Sequence, residues 1–325
     1  MPAPSNASAV ESPQEQDARF IQHVRESFDA DLDVTTDQQK KDELASIQSF
    51  IFNFITLPST RPSVEPESMQ RNLGFIWHTF IEMAKALDKD DAFQEKLISL
   101  FLWMKEFDSL HKTLHQTETT ALAWESYGFA DALQASWEKL LGTGTASQQC
   151  NLAAFSAKAL HLGIYREALG LTALWFLREA LETDDEAKTA ALLPAAVVWF
   201  SHGRHKLVAF SVSHKTYEDS KSHLVTPGAL ARAANVDAHG FSMTRWLFWR
   251  QRLQELSHNT DSAVAKEAKD GFMLMVSSGR ELGYDVPGEA RFSERLYATL
   301  DEELIRSGKE SVGTEDIDVV VDWVN

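Results

Sequence analysis

The chain has 325 residues, 44% of them hydrophobic and 10% aromatic, with 31 Lys and Arg set against 48 Asp and Glu for a formal charge of -17. A chain of this length and apolar content buries a real core without disulfide or metal staples, which excludes collagen-like, low-complexity and wholly disordered classes. The excess of acid, spread along the chain with no basic block, repels phosphate backbones and anionic headgroups, so neither nucleic acid nor a membrane surface is an expected partner.

Along the chain, MPAPSNASAVESPQEQDARF has no positive n-region and no long apolar run, so residues 1–16 are expected to be a solvated tail rather than a signal peptide, and the formal sequon at Asn6 is discounted. Phe20, Val24 and Phe28 step by four, and Leu44, Ile47, Ile51 and Phe54 mark a strongly apolar helix closed by Pro58. Residues 58–68 hold three prolines among polar residues and predict a loop. Leu73, Ile76, Trp77, Phe80, Ala84 and Leu87 follow the 3.6 period, and residues 93–110 are apolar on most sides, which predicts a central helix buried all round. Leu122, Ala130, Leu133, Trp137 and Leu140 form a further helix, ended by Gly142 and Gly144.

That glycine pair makes residues 142–146 the expected hinge between two helical halves of a body running from 17 to 325. Residues 147–163 and 165–182 predict a hairpin turning at Gly163, and residues 186–200 an Ala-rich helix. From Ser201 to His239 the period weakens: Leu207 to Ser213 fits either a short strand or a helix end, and Pro227-Gly228 is a turn. Helices return at 242–257, 261–282 and 290–306, and the acidic start of TEDIDVVVDWVN favours a last helix over a strand. Strand signals are too sparse for a sheet, so the expected fold is all-α: a bundle of antiparallel helix pairs, about a dozen helices in all. The longest apolar stretch, Leu192 to Phe200, is about half of what a bilayer crossing needs. Cys150 is the single cysteine and can form neither an internal disulfide nor a thiolate zinc site, which fits the reducing cytoplasm or nucleus.

FSMTRWLFWRQRLQEL at 241–256, followed by AVAKEAKDGFMLM, resembles an uncharacterised family of all-helical proteins from filamentous fungi, a domain of unknown function, over roughly residues 40–285. The resemblance implies fold and lineage, and no activity, cofactor or catalytic residue. LHLGIYREALGLTALWFLREAL at 160–181 looks like a tetratricopeptide-type hairpin in Leu162-Gly163, Tyr165, Ala168 and Ala173, but the tyrosine is one position early and no second copy recurs.

Several constellations have chemical potential. Asp88, Asp90, Asp91 and Glu95, with Asn259, Ser262 and Glu267, resemble fragments of the magnesium-diphosphate site of class I terpene cyclases, although Ser262 stands three rather than four residues after Asn259. The same runs open helices, where capping and the macrodipole explain acid without a metal. His111 and His115 lack the glutamate of a zinc-protease pattern, and Glu255-x-x-His258 and Asp108-x-x-His111 are only half of a di-iron set. His202, His205, His214, His223 and His239 gather in the expected irregular stretch near Glu218, Asp219 and Asp237, where surface histidines outweigh a metal site. Cys150 at a helix start reads first as a packing cysteine, and Trp77, Trp137, Trp175, Trp246 and Trp249 read first as core.

No metal and no cofactor are therefore expected. The leading functional expectation is a helical scaffold or interaction module that binds a protein partner and whose charge disfavours acidic ones. The rival is an enzyme or carrier acting on an apolar small molecule in an aromatic-lined cavity. Ser242 is placed to cap a helix with Phe241 beside Trp246 as a staple, and Trp246, Trp249, Leu253 and Leu256 should form its buried stripe. Arg245, Arg252 and Glu255 should then face solvent with Phe248 between the arginines. Phe248, Arg245 and Arg252, with His202, His205 and His214, are the expected ligand or partner surface.

Overall fold

A computed structural model describes residues 36–53, 66–115, 128–218 and 222–325, together with Arg19. The expected tail at 1–16, the stripe Phe20 to Phe28, loop residues 58–65, Leu122 and the side chains of Asp108, His111 and His115 lie outside the described residues. The described residues are helical in the main and contain no strand, so the fold is all-α. The chain divides into two compact units, Met1–Gly142 and Thr143–Asn325.

In the first unit, α1 (Asp37–Ile51), α2 (Pro66–Ala86), α3 (Ala92–His115) and α4 (Phe129–Thr143) gather around aromatic side chains. Thr36 caps α1 through a reciprocal box with Gln39. Pro66 takes the first position of α2, where a missing N–H costs nothing, so 66–68 of the expected loop are helical instead. Trp77 meets Phe101 and Phe129 edge to face at 5.9 and 5.4 Å, and Phe80 leans on Phe101 at 5.1 Å. All four rings are buried. Helix α3 is not the all-round buried helix its composition predicts: Glu95, Lys96, Ser99 and Trp103 form an exposed face.

In the second unit the central element is α7 (Glu186–Val212), which packs against α5 (Ala146–His161), α6 (Arg166–Leu181), α10 (Met243–Leu256), α11 (Ser262–Val276) and α12 (Ser278–Glu281). A helix with neighbours on every side needs apolar residues on every side, so its sequence loses the amphipathic period. Residues 201–212, which look irregular in sequence because a mostly polar run, Ser201 to Lys206, precedes an apolar one, are helical in fact, with Gly203, Leu207, Val208, Phe210 and Ser211 buried. His214 follows the helix in the left-handed region, at φ 50°, and acts as part of its C-terminal stop. Gly163, at φ 77°, turns the chain between α5 and α6.

Beyond α7 lie α8 (Ser222–Val225) and α9 (Ala229–Ala233), and α13 (Glu289–Ser307) follows α12. The expected last helix is replaced by two short 3₁₀ turns, Thr314–Asp316 and Val321–Val324. No helix among the described residues is long and apolar enough to cross a membrane.

Candidate functional site

Helix α10 starts where its sequence predicts. The Ser242 hydroxyl accepts a hydrogen bond from the Arg245 amide at 3.1 Å, closing an orphan donor of the first turn. Trp246, Trp249 and Leu253 are fully buried and Leu256 is nearly so. The staple differs in its partner: Phe241 meets the ring of Trp249 edge to face at 6.2 Å, while Trp246 meets Phe200.

Arg245 overturns its expected place in solvent. It is 0% exposed, and its Nε and Nη2 donate to the two oxygens of Glu182, itself 0% exposed, at 2.6 and 3.0 Å. Its Nη1 donates to the carbonyls of Val225 and Gly240 at 2.8 and 3.0 Å. Glu182 also accepts from Trp249 Nε1 and from the Gly228 amide, both at 2.7 Å, and its main-chain carbonyl accepts from Leu230 at 3.0 Å. A buried charge is tolerated only when paired and bonded in this way. Glycine is required at 228, since a Cβ there would lie 2.6 Å from both the Cβ and the carbonyl oxygen of Glu182. Glu182 stands at the end of α6, Arg245 and Trp249 on α10, and the loop between α8 and α10 is clasped between them. Each nitrogen of the Arg245 guanidinium and both oxygens of Glu182 are bonded within the fold, which makes the cluster structural rather than reactive.

The remaining expected site residues separate. Phe248 and Arg252 are half-buried on α10. Arg252 donates to Glu255 at 3.4 Å and lines a recess of about 210 Å³ with Glu186, Ala190, Glu255, Leu256, Asn259 and Val264. His202 and His205 project half-buried from α7. His205 Nε2 lies 2.5 Å from Glu281, which also accepts from Arg204 at 3.2 Å and Ser277 at 2.8 Å. The His161 ring lies 6.3 Å from that of His205, and burial first, with the neighbouring His205, Lys206 and Arg204 assisting, holds its pKa below the usual histidine value. His214 is nine residues past His205, about 13 Å along a helix axis, so the histidines do not form one cluster. His223, on the short helix α8, and His239, on the loop before α10, are both exposed. Among the described residues no group of three or more His, Cys, Asp or Glu side chains is placed to hold a metal ion.

The cyclase-like fragments are caps. Asp261 accepts from the amides of Ala263 and Val264 at the start of α11, and Asp91 accepts from that of Phe93 at the start of α3 while pairing with Lys40.

What the sequence does not announce is a groove beside α10. It has a volume of about 410 Å³ and is lined by Leu247, Arg250, Gln251, Gln254, Glu255 and His258 from α10, and by Asp322, Val324 and Asn325 from the C-terminal segment. Gln254 donates to Asp322 Oδ1 at 2.5 Å and ties the two walls together. That bond holds the Asp322 carboxyl below the usual carboxylate range, burial opposing and His258 assisting. Arg250, 8% exposed, donates from Nη2 to the Pro287 carbonyl at 2.7 Å. Leu247 and the polar Gln251, Gln254, Glu255 and His258 share one helical face, the only advance signal of this wall.

A family model described as protein of unknown function (DUF3632) matches residues 77–253. The chain belongs to this family. The DUF3632 match is narrower than the expected 40–285 and runs from α2 to the last turn of α10. It contains Glu182, Arg245 and Trp249, whereas Asp322 to Asn325 lie beyond it. The chain is also similar to "Oxopyrrolidines biosynthesis cluster protein G" of Penicillium oxalicum, a filamentous fungus, at 22% identity over 242 residues, covering 64% of this chain and 67% of that protein. No solved structure matches the chain.

Proposed function

We propose that this DUF3632 chain is an intracellular helical interaction module, an accessory protein to fungal small-molecule biosynthesis that engages a polypeptide along the α10 groove. The observation that carries this reading is the character of the groove. Sites for small apolar molecules are enclosed and mostly apolar with a few convergent polar groups, whereas this groove is open and its lining residues, Leu247 and Val324 apart, are polar or charged. Such a lining suits a solvated polypeptide segment, which brings its own donors and acceptors. The similarity to a protein named for an oxopyrrolidine biosynthesis cluster supports the biosynthetic setting. The acidic charge supports exclusion of nucleic acid.

A photo-crosslinking amino acid at Gln251, introduced in the cells that make the protein, tests the reading. The expected result is a covalent adduct with one polypeptide that disappears when the crosslinker is moved to exposed Glu302. Absence of a polypeptide adduct, with a stoichiometric small molecule retained by the purified chain in native mass spectrometry, would instead establish the carrier or enzyme alternative.

A further inference from the structure

One wall of the α10 groove is held to the body in a different way from the helices. Past α13, residues 308–313 are mostly exposed and have a glycine at each end, with Gly308 at φ 65°. The turn Val321–Val324 then packs against α11 and α13. Val319, Val321 and Val324 are buried, and the Trp323 ring leans on that of Phe292 at 5.7 Å. Gly288 leaves room for Val324, whose carbonyl oxygen would lie 3.1 Å from a Cβ there. The main chain contributes nothing to this hold. Among the described residues its amide bonds stay within the segment: Asp316 donates to the Gly313 carbonyl, Trp323 to Val320 and Asn325 to Asp322. Polar ties to the body are Lys269 to Asp318 at 3.3 Å, and Gln254 and His258 to Asp322 at 2.5 and 3.5 Å. Both aspartates are more than half exposed. A segment held by a few buried side chains opens at far lower cost than a helix, which must also break its own hydrogen-bond ladder.

Resting on the interaction reading above, we propose that residues 314–325 are a releasable strap, pivoting at 308–313, whose closure assembles the α10 groove. Closed, the strap sets Asp322, Val324 and Asn325 opposite α10. Open, it takes that wall away, uncovers Phe292 and leaves α10 with a face and no groove. The clasp around Glu182 shares no hydrogen bond with the strap, so the body stays folded while the strap moves. A polypeptide that touches both walls binds the closed form and draws the equilibrium toward it, so closure and occupancy favour each other.

N-ethylmaleimide labelling of the full chain, in a Cys150→Ala background, reads the opening. Val321→Cys and Val324→Cys, introduced singly and confirmed folded by thermal melt, are compared with Leu253→Cys at a fully buried position of α10. The two strap thiols should be labelled at least about a hundredfold faster than the helix thiol, at rates alike within about threefold and nearly flat in sub-denaturing urea. Strap rates that match Leu253→Cys and rise as steeply with urea would show that the segment opens only with the whole unit and overturn the proposal. Labelling far faster at 324 than at 321 would show fraying rather than a strap and overturn it as well. The link to the groove is read by Val321→Ser with Val324→Ser, folded by the same criterion, which should lower the yield of the polypeptide adduct at Gln251 about fivefold or more. An undiminished yield would show a groove that does not need the strap. If no adduct forms even with the natural strap, the interaction reading falls and the labelling rates still decide whether the strap opens. If the adduct forms while labelling follows global unfolding, this inference falls and the interaction reading stands.

Discussion

Glu182 meets four donors with two oxygens: Arg245 Nε and Nη2, Trp249 Nε1 and the Gly228 amide. Removing one partner from such a set strands a buried charge. Arg245→Met is therefore expected to lower the unfolding free energy by about 3–5 kcal/mol in chemical denaturation. The joint change Glu182→Leu with Arg245→Met should recover much of that loss, because neither charge is then left behind; a neutral single variant would show that water reaches the pair. Glu179, three residues earlier, behaves differently because it stays partly solvated. Burial works to raise its pKa, but the Lys188 ammonium and the Arg178 guanidinium outweigh it and hold the carboxyl below its ordinary 4.5. A folded pKa below the unfolded one means that this pairing stabilises the fold above the unfolded value and is lost as pH falls through the folded one. The difference in Tm between the natural chain and Glu179→Gln should accordingly be open at neutral pH and close on acidification below the ordinary glutamate pKa. A gap that persists there would assign the effect to packing.

For α10 as an element, sequence and structure agree on the cap and the stripe and part at one position. Ser242 caps, and Trp246, Trp249, Leu253 and Leu256 are inside, because capping chemistry and a 3.6-residue period are local properties. Arg245 was expected outside because a charged residue beside a stripe ordinarily stays in water. The residue that overrules this, Glu182, is 63 positions upstream, and no period reports a partner at that range. Truncation separates the faces. Trp246→Ala or Trp249→Ala should cost about 3–5 kcal/mol, the scale for emptying a buried aromatic site. Phe248→Ala, at a half-buried position, should cost under about 1.5 kcal/mol and leave the fold intact. Should Phe248→Ala unfold the chain and both tryptophan variants survive, the helix would have to be rotated. The second half of α7 was hidden for another reason: its mostly polar run, Ser201 to Lys206, and the apolar run Leu207 to Phe210 follow one another in blocks, so no 3.6-residue period marks the helix.

For the molecule as a whole, the all-α class was legible because segment after segment repeats helical spacing and almost none alternates. The groove was not, since one wall is a face of α10 and the other is Asp322 to Asn325, whose expected helix gave way to a 3₁₀ turn. Juxtaposition of distant segments is what periodicity omits. The clasp around Glu182 carries a last consequence, for the timescale on which the second unit opens. The amides of Gly228 and Leu230 sit in and beside a loop, where exchange with deuterated solvent is ordinarily fast. Here one donates to the carboxylate and the other to the main-chain carbonyl of a residue at 0% exposure, so releasing either uncovers the ion pair with Arg245. Opening this loop is thereby made as costly as opening the helices around it. In native-state hydrogen exchange both amides should be protected to the level of α5 and α7, and Arg245→Met should return them to the rate of an ordinary surface loop.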